Sequence, residues 1–205
     1  LCLANQTGTN LQEAFDSTMK LKTERDRDRP QDNEKLKKPL THSMVLEHSH
    51  LKENKTIEIS GSKSISNRLL ILHQLFDNIL IQNLSNSQDT QLLQAALQSD
   101  SDIIDIHHAG TAMRFLTSYY AIQEGKTVVL TGSERMKQRP IKFLVDALRD
   151  LGAEISYLEN EGFPPLKISG KKILKSTVRI PANISSQFIT SLMLIGAKLE
   201  NGLQI

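Results

Sequence analysis

The chain has 205 residues, 39% of them hydrophobic and 23% charged, enough for one sizeable domain or one domain with a tail. Its 25 Lys and Arg against 23 Asp and Glu leave a net charge of +2, which provides no bulk field for nucleic acid or a membrane surface. Aromatic residues make up only 4%, with no Trp, which argues against a base-stacking surface; Cys2, the single cysteine, excludes an intrachain disulfide and a cysteine-based zinc cluster.

A lone cysteine fits a reducing, cytoplasmic setting. No apolar run approaches membrane-spanning length, and the opening stretch lacks the charged start and apolar centre of a signal peptide. The chain begins with Leu1, and its beginning reads as incomplete or processed. Residues 1–43 are a different kind of sequence. From Lys20 to Lys38 almost nothing is apolar, which predicts a disordered or solvated tail, or one foreign to the fold. Glu24, Asp26, Asp28, Asp32 and Glu34 interleave with the basic residues there, against both a nucleic-acid arm and a transit peptide. The folded part is expected to start at Met44.

Residues 56–60 alternate polar and apolar, a short strand pattern. Gly61-Ser62-Lys63-Ser64-Ile65-Ser66-Asn67-Arg68 follows, then an apolar run from Leu69 to Phe76 suited to a buried helix. The octet therefore sits at a strand-to-helix turn. Gly61 allows a tight turn, the serines can cap, and Lys63 and Arg68 add charge where a helix start already favours an anion. It is no Walker loop, since that spacing is absent. Residues 79–84 read as a strand. Ser87-Gln88-Asp89-Thr90 then caps a helix through about Gln98, with Leu92, Leu93 and Ala96 inward.

Residues 103–106 form the next strand pattern, and residues 107–111 turn into a helix carrying Met113, Phe115, Leu116 and Tyr119. A strand over 127–130 leads into a polar, cation-rich loop over 131–139. Pro140 suits a first helical turn, Ile141, Leu144, Leu148 and Leu151 keep the helical period, and Gly152 stops the helix. Strands over 154–158 and 166–168 flank a wide turn, which breaks a simple alternating pattern. A strand is expected at 177–180. Ser185-Ser186-Gln187 opens a last helix with Phe188, Leu192, Met193 and Ile195 inside. The class is mixed α/β with antiparallel pieces.

Four turns share a chemistry. They are the octet, Ala109-Gly110-Thr111-Ala112-Met113-Arg114, the loop holding Arg135, Lys137 and Arg139, and Ser185-Ser186-Gln187. Facing one cleft, they would offer helix N-termini, Lys and Arg, and hydroxyls to a ligand bearing more than one phosphate or carboxylate. A metal site is a poor fit, because the adjacent His107 and His108 cannot share a face of a strand. Asp89 is an isolated acid that would pair with a cation.

These four motifs, together with Asp146-Ala147-Leu148-Arg149-Asp150-Leu151-Gly152-Ala153 and Pro164-Pro165-Leu166, resemble the 5-enolpyruvylshikimate-3-phosphate synthase family, in the same order along the chain. The resemblance covers residues 56–205, the amino-terminal half of a family member. It implies repeated βαβαββ units, in an inside-out α/β barrel-like domain that is incomplete here. Residues 44–60 would be a strand segment belonging to a second domain, residues 61–205 most of the amino-terminal-side domain, and the second domain itself would be absent. The activity implied is that of a 3-phosphoshikimate 1-carboxyvinyltransferase, a step of chorismate and aromatic amino acid biosynthesis. It joins shikimate 3-phosphate to phosphoenolpyruvate, with no metal or organic cofactor, in a protein that is monomeric at full length.

By the same resemblance, Lys63 touches both substrates and carries a proton. Ser64 and Arg68 hold the shikimate moiety, Ser185 and Ser186 its phosphate, and Gln187 lies between the two substrates. Gly110 leaves room for phosphoenolpyruvate, and Arg135 pairs with its charge. Apart from the resemblance, Asp89 and Arg114 are expected in support, ordering the cations. His108 stands beside phosphoenolpyruvate where the family usually has Asn; a larger, titratable side chain implies altered affinity. The stretch between Asp89 and Ile103 is short by family standards, as a trimmed outer hairpin would explain. The family's acid and base come from the other domain, so the chain alone is expected to show no turnover. Two alternatives are a UDP-N-acetylglucosamine enolpyruvyl transferase, disfavoured because no cysteine lies near Arg135, and a non-catalytic anion-binding domain.

Overall fold

The computed structural model describes residues 56, 58–181 and 184–205, all within the unit Thr56–Ile205. The tail expected over 1–43, and most of the strand segment expected over 44–60, lie outside the described residues. Thr56 and residues 58–60 are not in a strand. Ile59 is exposed, and its carbonyl accepts from the Asn83 side chain at 3.2 Å; among the described residues no ladder partner makes a strand of the alternation.

The apolar run after the octet forms α1, Lys63–Leu75, which buries Leu70, Ile71 and Leu75. Its second turn also buries two polar residues, Ser66 and Asn67. Ser66 Oγ accepts from the backbone N–H of Ser85 at 2.9 Å, so the octet is pinned to the chain that leads into the next helix. A side chain at Gly61 would collide with the carbonyl of Asn83, where two backbones meet. The strand expected at 79–84 is absent. This stretch is an irregular connector in which Asn83 has a positive φ of 53° and Leu80 is exposed. Its apolar residues reflect packing of Ile81 and Leu84 against the core rather than strand pairing. Next comes α2, Gln88–Leu97, with Thr90, Leu93 and Ala96 buried.

A complete βαβαββ unit follows. Strand β1, Ile103–Asp105, leads to α3, Gly110–Ala121; β2, Thr127–Thr131, leads through the four-residue α4, Glu134–Lys137, to α5, Lys142–Leu151. The unit closes with β3, Glu154–Tyr157, and β4, Leu166–Ser169. The sheet order is β1-β2-β4-β3: β1 and β2 are parallel, and β4 runs antiparallel to both β2 and β3. Helix α4 occupies part of the expected loop, and Ser133 Oγ caps it by accepting from the N–H of Met136. Pro140 falls ahead of α5 rather than in its first turn, because Ile141 is the N-cap. Gly152 ends α5 with φ 109°, a left-handed conformation that favours glycine.

Ten of the 12 residues of α3 are buried, including Met113, Phe115, Leu116 and Tyr120, so this helix is an interior rod rather than a surface one. It touches α1, α2, α5, β2, β4 and the last helix, α6, Ser186–Gly196. Its buried hydroxyls are matched inside. Thr117 Oγ1 donates to the Met113 carbonyl at 2.7 Å, Ser118 bonds Ser191 of α6 at 2.6 Å, and Tyr120 OH donates to the Ala96 carbonyl at 3.0 Å. Burial pushes the Tyr120 phenol well above its usual pKa, with its neighbour Tyr119 a smaller cause.

Two further expectations are corrected. Residues 177–180 form no strand; Thr177 makes a single bridge to Gln204, and the described residues offer no longer neighbour. Met193 is 63% exposed, whereas Leu192 is buried. Successive helix residues point about 100° apart, so Leu192 takes the inward direction and Met193 cannot share it.

Candidate active site

Four helices place their first turns around one cleft. Lys63 is the first residue of α1, Asp89 the second of α2, Gly110 and Thr111 the first two of α3, and Gln187 the second of α6. With His108, Arg114 and Arg139 they line an open space of about 370 Å³. Each helix start carries unsatisfied N–H groups and the positive end of a dipole. Their convergence, beside three cations and one carboxylate, gives the cleft the chemistry to accept negative charge.

The loops are held to suit. His107, with φ 47°, donates its N–H to Asp105 Oδ1 at 2.7 Å and accepts from the Ser133 N–H at 2.9 Å. The turn before α3 is thereby tied to the one before α4. Gly132 makes this possible, since a Cβ there would stand 2.6 Å from the His107 carbonyl oxygen. Arg114 Nη1 donates to the Gly110 carbonyl and to Gln187 Oε1, each at 2.9 Å, and so joins α3 to α6 across the cleft. Its guanidinium also lies 5.2 Å from the centre of the Phe188 ring.

Gly110 is the closest point of approach. A Cβ at this position would sit 2.5 Å from Arg139 Nη1 and 3.1 Å from Arg114 Nη1, so only glycine leaves both guanidiniums where they are. Burial, and then the charge of Arg139, lower the pKa of Arg114. Arg114 Nε is buried without a hydrogen-bond partner. Two neighbouring cations and an orphaned donor describe a site whose balance calls for an anionic ligand. Lys63 and Asp89 are 3.6 Å apart, with their side chains 51% and 20% exposed. A pair that wet contributes less than about 1 kcal/mol to stability, so its importance is to geometry at the cleft.

Of the residues singled out from the sequence, Lys63, Asp89, His108, Gly110, Arg114 and Gln187 line the cleft together. Ser64, Arg68, Arg135, Ser185 and Ser186 are not among its lining residues. Ser64 and Arg68 are one turn apart on α1, where Arg68 Nη1 donates to the Ser64 carbonyl at 2.7 Å and the guanidinium lies 5.7 Å from the Phe115 ring centre. Ser185 is the N-cap of α6, accepting from the Gln187 N–H, and Ser186 follows it, exposed. Arg135 is exposed on α4. Sequence reasoning missed Thr111 and Arg139 as lining residues. Arg139 belonged to a recognised cluster of three cations, but residue types alone do not give the direction in which each side chain points.

The fold and the cleft together define an α/β protein that collects helix N-termini and arginines around an anion-accepting site. A family model described as EPSP synthase (3-phosphoshikimate 1-carboxyvinyltransferase) matches residues 93–205, more than half of the chain. The chain belongs to the EPSP synthase family. It is 52% identical over 152 residues to the 3-phosphoshikimate 1-carboxyvinyltransferase of Bacteroides fragilis strain YCH46, covering 73% of this chain and 37% of the relative. It is 41% identical over 180 residues to that of Haemophilus influenzae strain PittEE, covering 73% and 41%. Among solved structures, an EPSP synthase of Acinetobacter baumannii superposes with a TM-score of 0.60 at 20% identity, over 70% of this chain and 38% of that one. The enolpyruvyl transferase fold expected from the motifs is therefore present, and the described residues contain one full βαβαββ unit. The chain spans about two fifths of the length of the curated relatives it matches.

Proposed function

We propose that this chain is the part of a 3-phosphoshikimate 1-carboxyvinyltransferase that holds much of the substrate site. The reaction is transfer of the enolpyruvyl group of phosphoenolpyruvate to the 5-hydroxyl of shikimate 3-phosphate. The hydroxyl oxygen adds to the central carbon of phosphoenolpyruvate while its methylene carbon takes a proton. A proton then leaves that carbon, and inorganic phosphate departs. The observation that carries this reading is the cleft itself, where Lys63, Arg114 and Arg139 meet the first turns of four helices. Both substrates are multiply anionic, and the cleft has one carboxylate against three cations.

In this reading Lys63 bridges the substrates and carries a proton, and Gln187, oriented by Arg114, lies between them. His108 and Gly110 border phosphoenolpyruvate. Arg68, Ser64, Ser185 and Ser186 hold shikimate 3-phosphate from the rim, and Arg135 reaches phosphoenolpyruvate from α4. The remaining acid, base and cationic ligands would come from a second domain beyond residues 61–205. The protein acts in the cytoplasm as a monomer and takes no cofactor. Among the described residues no helix is long and apolar enough to cross a membrane.

The test is titration of the chain with shikimate 3-phosphate. Saturable binding is expected, and Lys63→Ala should weaken it by about 10- to 100-fold, as loss of a charge-assisted contact does. The melting temperature should change little, because Lys63 is half exposed. An anion-binding scaffold with another ligand would show no saturable binding for the variant to weaken.

A further inference from the structure

Behind the Lys63–Asp89 pair the same two helices are joined a second time, in the core. Asn67 lies four residues after Lys63 on α1, and Thr90 directly follows Asp89 on α2. Both are fully buried. Thr90 Oγ1 donates to Asn67 Oδ1 at 2.7 Å. With that hydrogen spent, the 2.9 Å contact between Ser87 Oγ and Thr90 Oγ1 has Ser87 as its donor. The result is a chain of hydrogen bonds running from the N-cap of α2 to the second turn of α1. Residues four apart on a helix lie on one face, so Asn67 sits directly beneath Lys63. The inner contact is dry and the outer one, at 3.6 Å, is wet.

We propose that Thr90 is a positioning residue for the cleft: through Asn67 it fixes α2 against α1, and so sets where Asp89 holds the Lys63 ammonium. The exposed pair is too long and too wet to fix two helices by itself. The buried bond, in contrast, leaves an unmatched acceptor if it slips, and so resists slipping. Asn67 Nδ2 is already buried without a partner, and loss of Thr90 Oγ1 would strand both ends of the amide. The functional meaning of the inference rests on the cleft being a substrate site; the coupling between the two layers does not.

The test uses Thr90→Val, which keeps the shape and removes the hydroxyl, with Thr90→Ser, which keeps the hydroxyl. Affinity for shikimate 3-phosphate is measured well below the melting temperature of each variant. Thr90→Val is expected to weaken binding about tenfold and Thr90→Ser to stay within about twofold, the size of coupling found between groups in one network. In an Asp89→Ala background Thr90→Val should cause no further loss, because the pair it positions is gone. A Thr90→Val chain that melts earlier but binds as the wild type does would overturn the proposal. So would a loss of equal size with and without Asp89. If the wild-type chain binds no shikimate 3-phosphate, the substrate reading falls. The positioning claim is then decided by melting temperatures: non-additive effects of Thr90→Val and Asp89→Ala sustain it, and additive ones overturn it. Should Thr90→Val not fold, Ser87→Ala removes the half-buried end of the same hydrogen-bond chain and is read by the same outcomes.

Discussion

Arg114→Met is expected to weaken phosphoenolpyruvate binding by about 100-fold, near the upper end for loss of a charge-assisted contact. The side chain has two roles at once. Its charge faces the cleft beside Arg139, and its Nη1 holds Gln187 Oε1 at 2.9 Å. Methionine keeps much of the volume, suits the helix, and can pack on Phe188, so the loss should be of charge and orientation rather than of fold. Stability should hold or rise slightly, because the substitution removes a cation whose pKa is lowered by burial and by the charge of Arg139. Arg114→Lys should fall between the two, keeping charge without the planar fork. Titration and thermal melts of the three chains check this. Unchanged affinity in Arg114→Met would mean that the cleft does not take its anion at Gly110.

Phe115→Ala is expected to cost about 3–5 kcal/mol, the usual range for emptying a buried phenylalanine site. Phe115 is 1% exposed on α3, the helix around which the other elements pack. Its ring also backs the Arg68 guanidinium at 5.7 Å. At about 2–4 °C per kcal/mol for a unit of this size, the melting temperature should fall by roughly 6–20 °C. The denaturation midpoint should drop with an unchanged slope. A loss under about 1 kcal/mol would show that α3 is not the centre of the core.

What the sequence revealed and what it concealed divide along physical lines. Helix α5 was legible because Ile141, Leu144, Leu148 and Leu151 repeat at the helical period, all four are buried, and Gly152 takes a left-handed stop. Strands β1 and β2 were legible as apolar runs between turns. Residues 79–84, an apolar run, and 177–180, an alternating one, misled because both patterns report apolar packing, whereas a strand also needs a neighbour to bond, and the described residues supply none to the first and one bridge to the second. At the site, the gathering of the Lys63, Gly110 and Gln187 turns was foreseeable, because each sets small or capping residues at a helix start, with charge added by Lys63 and Arg114 in the first two and neutral donors in the third. The roles of Ser66, Asn67 and Thr90 were not. Ser66 and Asn67 read as part of an anion loop, yet their side chains point into the core and bond across to another element. Arg139 was hidden for a related reason: three cations in five residues give the charge of a loop but not the direction of each side chain.

The most direct test of the account is the melting temperature of the chain with and without shikimate 3-phosphate, with UDP-N-acetylglucosamine as control. At a hundredfold excess over the dissociation constant, a ligand that binds only the folded chain stabilises by about 2.7 kcal/mol, a rise of roughly 5–11 °C here. The account predicts that rise with shikimate 3-phosphate and none with the nucleotide sugar. A cooperative melt that shikimate 3-phosphate leaves in place, or that the nucleotide sugar raises instead, would contradict it.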